Sequence, residues 1–486
     1  MNKINGKTEV IGVLGHPIEH TLSPVIHNTV SEATGRNAVY VPFHVFDEAS
    51  KNAISEQAEI EALVRGAYNL GIKGLNVTVP YKSAVIPYLA DIDPLAERIG
   101  AVNTLVRTDK GYKGYNTDMP GLYMALQKRG IVIEGSTAVV LGAGGAARAV
   151  IAMLLNYGAS RVYLVNRTFE KAVQLSDEMN KLFADVIGSR RGVIPISVDN
   201  IDSVEVSVSD SSLEAEVDES GYLMFQCTSL GLKVGDGLLV DDDELYKRAS
   251  YGFDLVYNPA ETPFTNKLKS LGIKCDNGLL MLLYQGIIAY QYWTETEIGS
   301  DVVEKARMNL CKAVYGDNLI LTGYMGAGKT TVGHALAEKL GMDYIDIDAY
   351  IVEKEGRSIP DIFKEGGEEA FRNIETTAIR ELGAKAYNTV VATGGGAVLR
   401  DKNAKLLKEM GRVFYLYASP EETFTRVKGD TGRPLLNSDS EQQLKDKIID
   451  MIRVRYHAYM RTADVRIDTD GKDVEKISEE IISQFK

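Results

Sequence analysis

The sequence predicts an α/β protein with mainly parallel sheets, on three observations. Short apolar runs alternate with stretches of helical period almost throughout the chain. Two glycine-rich loops, GAGGAAR from Gly142 to Arg148 and GYMGAGKT from Gly323 to Thr330, each follow an apolar run and open a helical stretch. At 486 residues the chain exceeds what one hydrophobic core organises, so about three domains are expected.

In chain order, strands are expected at Glu9 to Leu14, Gly74 to Val79, Ala138 to Leu141, Arg161 to Val165, Leu223 to Gln226, Tyr251 to Leu255, Leu319 to Leu321, Thr389 to Val391 and Val413 to Leu416. After the first strand, Gly15 to Asn28 reads as a turn into a helix with Ser23 as N-cap and Pro24 at the first helical position. The tract Gly188 to Ser220 is polar and carries no motif, so it is expected to be an irregular surface region. Asp241, Asp242 and Asp243 suit a solvated helix start better than a metal cluster. Asp301 to Tyr315 has helical spacing and stops at Gly316, and the next strand starts almost at once, leaving little flexible linker.

Composition is that of an ordinary globular protein, 45% hydrophobic and 25% charged. A net charge of −13 argues against nonspecific nucleic-acid binding, so basic residues around an anionic ligand would be local. The first ten residues lack the apolar core of a secretory signal, and Gly278 to Trp293 is too short to span a bilayer. Cys227, Cys275 and Cys311 are odd in number and lack a CxxC, which fits reduced thiols in a cytoplasmic protein.

The two loops differ chemically. The first has the strand, turn and helix order of a dinucleotide loop, with Gly142, Ala143, Gly144, Gly145 and Ala146 at the cofactor. The second fits GxxxxGKT: Gly326, Ala327, Gly328 and Thr331 belong to a triphosphate cradle, Lys329 is the phosphate lysine and Thr330 the Mg²⁺ hydroxyl ligand. Ahead of the first loop lie polar motifs that isolated surface charges do not explain. They are Thr21 and Ser23 in HTLSP, Thr78 and Lys82 in NVTVPYK, Asn103 in GAVNT, and Asp118 in NTDMPG.

Residues 1 to about 315 resemble shikimate dehydrogenase, because those motifs, the glycine loop, NRT at Asn166 to Thr168 and GLLMLLYQ at Gly278 to Gln285 occur in the family's order. The resemblance implies a substrate-binding α/β domain over 1–122, completed by helices of about 277–315, and an NADP-binding Rossmann domain over 123–276. It implies reversible reduction of 3-dehydroshikimate to shikimate, with Lys82 as acid/base beside Asp118, and Thr21, Ser23, Thr78, Asn103, Tyr257 and Gln285 on the substrate. Leu255 and Gly278 are implied at the cofactor. Arg167 and Lys171, with Asn166 and Thr168, favour NADP(H), since an arginine after the second strand suits a 2′-phosphate where NAD needs a carboxylate. Thr21 stands where the family has serine, and Gln226, Cys227 and Thr228 where Asn-Ala-Thr is common, near the expected nicotinamide end.

Residues 317–486 resemble shikimate kinase, a P-loop fold of the nucleoside-monophosphate-kinase type, through YIDID, FKEGGEEAFRNIE, TGGGAVL, GRPLL and Arg455 ahead of Tyr459. The resemblance implies ATP with Mg²⁺, Asp346 at the metal, and Asp348 as base on the substrate hydroxyl. Asp346 and Asp348 are expected to alternate on a strand end and face one side. Arg372, Gly395 and Arg455 are implied at the shikimate carboxylate, and Arg433 at ATP from a lid over Lys428 to Leu436. Arg372 and Glu375, three apart on a helix, also fit a plain surface ion pair.

Together these readings make a bifunctional enzyme of aromatic precursor synthesis whose partners are the small molecules 3-dehydroshikimate, shikimate and ATP, with no nucleic acid and no membrane; a homodimer is left open. The alternatives are that one half prefers quinate or is a non-catalytic ligand-binding module.

Overall fold

The computed structural model describes residues 4–16, 18–45, 56–78, 80–188, 190–200, 221–233, 235–428 and 440–485. The chain divides into two compact units, Met1–Leu310 and Cys311–Lys486.

The first unit holds two sheets. One contains β1 (Glu9–Gly15), β2 (Ala38–His44), β3 (Gly74–Val77), β4 (Asp91–Ile92), β5 (Thr104–Thr108) and β6 (Gly111–Tyr115), in the order β2-β1-β3-β5-β6-β4. The other contains β7 (Thr137–Leu141), β8 (Arg161–Asn166), β9 (Gly192–Ser197), β10 (Tyr222–Gln226), β11 (Ala249–Asp254) and β12 (Cys275–Asn277), in the order β12-β11-β10-β7-β8-β9. This second sheet is wholly parallel. Its strand order reverses between β7 and β10, where a doubly wound sheet opens a crevice at the carboxyl ends of its strands. Both faces are covered: Ala138 and Val140 pack with Ala147, Val150 and Ile151, while Val139 and Leu141 pack with Tyr246 and Phe264. Double coverage explains why β7 reads as an unbroken apolar run rather than an alternation.

The second unit is one parallel sheet of β13 (Asn318–Thr322), β14 (Asp343–Asp346), β15 (Thr389–Ala392), β16 (Gly411–Tyr417) and β17 (Val465–Asp468), in the order β14-β15-β13-β16-β17. Helix Lys329–Leu340 leaves the central β13 through the glycine loop.

Every expected strand is present within about two residues of its expected ends, the scatter with which such boundaries are defined. Three expectations change. The first sheet is mixed, since β5 runs antiparallel to both β3 and β6. Only Asp109 and Lys110 separate β5 from β6, a hairpin length that cannot make a parallel crossover. Within the tract expected to be irregular, β9 pairs in parallel with β8, while residues 201–220 lie outside the described residues. Pro195 interrupts the strand signal there, and β9 sits at the sheet edge, where proline is tolerated. Ser23 does not cap its helix. Leu22 holds that position without a side-chain bond, and Ser23 is the first helical residue. Asp242, by contrast, caps the helix Asp243–Lys247 by accepting from Glu244 N and Leu245 N. No helix among the described residues is long and apolar enough to cross a membrane.

Helix Leu279–Thr294 locks onto the mixed sheet through Trp293, whose Nε1 donates to Leu105 O at 2.9 Å over the space that Gly74 leaves empty. A β-carbon at Gly74 would fall inside the indole ring. Gly74→Ala is therefore expected to cost the first unit about 1–3 kcal/mol. Scanning calorimetry should show its transition lowered and that of the second unit unchanged.

Candidate active sites

In the first unit a cavity of about 600 Å³ opens between the mixed sheet and the parallel sheet. It is lined by Thr21, Ser23, Thr78, Lys82, Asn103, Asp118, Tyr257 and Gln285 from the expected substrate set, and by Ala146, Leu255 and Gly278 from the expected cofactor set. Lys82 follows the turn after β3, and its Nζ donates to Asp118 Oδ2 at 2.6 Å. Asp118 starts helix Asp118–Lys128, and the Asn116 side chain holds that start by accepting from Asp118 N at 3.1 Å and Met119 N at 3.4 Å. Asn116 lay inside the quoted NTD motif, and its role shows only in this fold.

Gln285 reaches the cavity from the facing helix because Gly121 lets the two helices touch. A β-carbon at Gly121 would lie 2.7 Å from Gln285 N. Gln285 is buried, its Nε2 donating to Leu282 O at 2.8 Å. Ser23 and Asn103 are also buried, and Thr21 Oγ1 accepts from Ser23 N at 3.4 Å. Burial pushes the Tyr257 phenol up from its ordinary value, so it stays protonated at neutral pH.

At the parallel sheet, Gly142 takes φ +106° and passes over Cys227 and Thr228, where a β-carbon would be 2.8 Å from Thr228 Cγ2. Gly144 is the N-cap of helix Gly145–Asn156 without any capping side chain, and β-carbons at Gly144 and Gly145 would meet nothing within 4 Å. An open helix N-terminus of this kind fits a pyrophosphate. Asn166 Oδ1 accepts from Ala143 N at 3.2 Å, tying the loop to the end of β8, while Arg167, Thr168 and Lys171 are exposed beside it. Arg148, the last residue of the loop motif, is held by Glu178 through two bonds of 2.6 Å. Gln226 and Cys227 are buried and neither lines the cavity, and burial pushes the Cys227 thiol well up. Their departure from the family pattern therefore does not alter the cavity wall directly.

The second unit has a cavity of about 950 Å³. Gly326, Ala327, Gly328, Lys329, Thr330 and Thr331 form one side of it, and Asp346, Asp348, Arg372, Gly395 and Arg455 the other. Gly326 and Gly328 take φ +77° and +92°, left-handed conformations that glycine supplies. Lys329 Nζ donates to the carbonyls of Gly323 at 2.8 Å and Tyr324 at 3.1 Å.

Asp346 and Asp348 do not alternate on a strand. β14 ends at Asp346, which caps helix Ile347–Glu355 by accepting from Asp348 N at 2.9 Å and Ala349 N at 3.2 Å, and Asp348 is already helical. A carboxylate at a strand's end becomes the natural cap of the following helix, and both groups still reach the cavity. Burial first, then the charge of Asp346, raises the Asp348 carboxyl from its ordinary value.

Arg372 and Glu375 are paired at 2.9 Å, but Glu375 is 0% exposed, so this is no surface ion pair. Glu375 Oε1 has no hydrogen-bond partner among the described residues, and burial raises its carboxyl as well. Residue spacing marked the pair, whereas only packing shows it to be a buried wall of the cavity. Gly394 and Gly396 are needed for space: a β-carbon at Gly394 would sit 2.6 Å from Asp348 Oδ1, and one at Gly396 would overlap the Arg372 guanidinium. Gly395 O accepts from Arg455 Nη1 at 3.3 Å and from Tyr459 Oη. Tyr459 stacks on Tyr415 at 4.7 Å, and its bracing of the glycine loop was not foreseen. Arg433 lies outside the described residues, as does most of the expected lid.

Residues 13–105 match the family model of the shikimate dehydrogenase substrate binding domain, residues 124–188 that of shikimate / quinate 5-dehydrogenase, and residues 325–486 that of shikimate kinase. The chain is 38% identical over 308 residues to a shikimate dehydrogenase (NADP(+)) of Moorella thermoacetica, covering 63% of this chain and 94% of that protein. It is 38% identical over 305 residues to one of Methanothermobacter thermautotrophicus, covering 62% and 97%. A crystal structure of a shikimate dehydrogenase in complex with NADP⁺ is similar with a TM-score of 0.52 and 34% identity, covering 64% of this chain and 98% of that one.

The raised Asp348 carboxyl carries a stability consequence. Its folded-state pKa lies above the unfolded value, so the protonated form stabilises the fold and that contribution is lost as pH rises through the folded pKa. Asp348→Asn is expected to raise the melting temperature of the second unit at pH 7, with the gain shrinking as pH falls towards the ordinary value of 3.8. A gain independent of pH would show that ionisation is not its source.

Proposed function

The chain belongs to the shikimate dehydrogenase family over its first two thirds and carries a shikimate kinase domain over its last third, and on that premise we propose how its residues divide the work. It is a bifunctional enzyme of the shikimate pathway: one half reduces 3-dehydroshikimate reversibly to shikimate with NADPH, and the other phosphorylates shikimate with ATP and Mg²⁺. The observation that carries the residue assignment is the Lys82–Asp118 pair, set in one cavity with the end of the dinucleotide loop.

Bound NADPH supplies the hydride. Lys82 Nζ gives the proton that the new alkoxide needs and takes it back in the reverse direction, while Asp118 holds the ammonium in place. Thr21 and Ser23 bind the substrate carboxylate, and Thr78, Asn103, Tyr257 and Gln285 its hydroxyls. The open N-terminus at Gly144 and Gly145 receives the pyrophosphate, Ala143 is set by Asn166, and Ala146, Leu255 and Gly278 wall the nicotinamide side. Arg167, exposed and without an ion pair among the described residues, meets the 2′-phosphate with Thr168 and Lys171 nearby.

In the kinase half, Thr330 and Asp346 would hold Mg²⁺, which would supply charge to neutralise the phosphates, and the loop from Gly326 to Thr331 would cradle those phosphates with Lys329. Asp348, kept basic by burial, accepts the proton of the attacking hydroxyl. Arg372, oriented by Glu375, joins Arg455 and Gly395 at the carboxylate. Arg433 would complete the ATP site from outside the described residues. The cytoplasmic setting rests on three widely spaced cysteines without a CxxC, Cys227, Cys275 and Cys311, which suit a reducing compartment.

The test is an assay of purified chain with 3-dehydroshikimate and NADPH, with and without ATP and Mg²⁺, the product being identified by mass. Shikimate without ATP and shikimate 3-phosphate with it are expected. Lys82→Ala should lower the reduction by about 10³-fold or more and leave phosphorylation intact. Lys329→Ala should do the converse, by about 10²-fold or more. Loss of both activities from either change in folded protein would overturn the division of roles.

A further inference from the structure

Beside the dehydrogenase cavity a buried chain of polar groups leads to Asn103 through Tyr40, Asn76, Thr104 and Thr117, four residues that no step above uses. Tyr40, on β2, donates its phenol hydrogen to Asn76 Oδ1 at 2.7 Å. Asn76 Nδ2 donates to Asn103 O and to Thr104 Oγ1, both at 3.2 Å. Thr104 Oγ1 donates to Asn103 Oδ1 at 3.0 Å, which also receives Thr117 N at 2.8 Å, while Asn103 Nδ2 donates to Thr117 Oγ1 at 3.0 Å. All five side chains are buried.

Counting hydrogens fixes the two amides, while the Thr104 and Thr117 hydroxyls, 3.2 Å apart, can each donate to Asn103 Oδ1 or to one another. Burial holds Tyr40 protonated, its phenol pushed well above the usual range, so it has one hydrogen to give and Asn76 must turn its oxygen towards it. Both Asn76 N–H groups are then spent on Asn103 O and Thr104 Oγ1. With its oxygen accepting from Asn76, Thr104 has its own hydrogen for Asn103 Oδ1 at 3.0 Å or Thr117 Oγ1 at 3.2 Å, and in the second case the Thr117 hydroxyl, 3.2 Å from Asn103 Oδ1, takes its place there. The Asn103 oxygen is thereby filled from within, and the one group it keeps for the cavity is the second N–H of its amide. The Tyr40 ring cannot swing away, because it stacks on the buried His27 ring at 4.2 Å with Trp293 behind at 6.1 Å.

We propose that Tyr40 is a positioning residue for the reduction: its phenol, acting through Asn76 and Thr104, fixes Asn103 as a pure donor towards a substrate oxygen. Without that hydroxyl, Asn76 can flip its amide, the Thr104 hydrogen turns to the freed oxygen, and Asn103 loses an internal donor. The proposal rests on the placement of the substrate against Asn103.

Tyr40→Phe keeps the ring stack and removes one oxygen. It is expected to raise KM for 3-dehydroshikimate about fivefold, with KM for NADPH and both kinase constants unchanged and the first unit's thermal transition retained. Thr104→Val breaks the same chain one step closer and is expected to act alike, and it carries the test should Tyr40→Phe fold poorly. Combining either with Asn103→Ala is expected to add nothing beyond Asn103→Ala alone. Additive double variants overturn the proposal, and so does a KM that Asn103→Ala raises and Tyr40→Phe leaves alone. A KM that ignores Asn103→Ala overturns instead the substrate placement, and the proposal falls with it.

Discussion

The dehydrogenase site depends on the backbone contact of two helices at Gly121. Helix Asp118–Lys128 and helix Leu279–Thr294 approach until the Gly121 α-carbon faces the Gln285 backbone, a distance any side chain would prevent. That contact places Asp118, at the start of one helix, across the cavity from Gln285, in the second turn of the other. Trp293, two turns beyond Gln285, fastens the same helix over Gly74 and Leu105 on the mixed sheet. Groups proposed for the substrate, from the end of β3, from the Asn103 turn and from a helix near position 285, thus share one cavity because small residues let large elements close on it.

The kinase half solves a different problem, that of keeping negative groups ready beside an anionic ligand. Burial raises both Asp348 and Glu375, and Asp348 adds to the strain on Glu375. Arg372 offsets part of it, bound to Glu375 and to Glu368, yet Glu375 Oε1 keeps no partner among the described residues. Such an arrangement costs stability in the empty protein and leaves, at the cavity, a carboxyl of raised pKa suited to the proposed base and a guanidinium beside it. Gly394 and Gly396 are the price in backbone freedom of fitting Asp348 and Arg372 against the loop.

The two halves are joined by chemistry: the product of the first reaction is the substrate of the second. In the proposed roles both would recognise the same carboxylate with different means, hydroxyls at Thr21 and Ser23 lining one cavity and guanidinium groups at Arg372 and Arg455 lining the other. Hydroxyl donors suit a site that already carries the Lys82 charge, whereas the kinase must hold its substrate among phosphates, where a fixed cation is worth more.

What the sequence determined by itself was whatever local rules dictate. The two glycine loops, the strands feeding them, the Asp242 cap and the helix stop at Gly316 follow from φ restrictions, hydrogen-bond capping and apolar runs within a few residues, and each is legible without the fold. Family order of motifs extended this to Lys82 with Asp118 and to Arg372, side chains that the fold does bring to shared cavities. Tertiary structure alone decided the rest. Pro195 hid β9 until edge pairing with β8 supplied its hydrogen bonds, and Asp348 moved from strand to helix because Asp346 caps. Ser23 left capping for the cavity, and Glu375 proved a buried wall rather than a surface charge. In each case the deciding energy, a cross-strand bond, a desolvation cost or a close contact, comes from residues far apart in the chain, so no local window contains it.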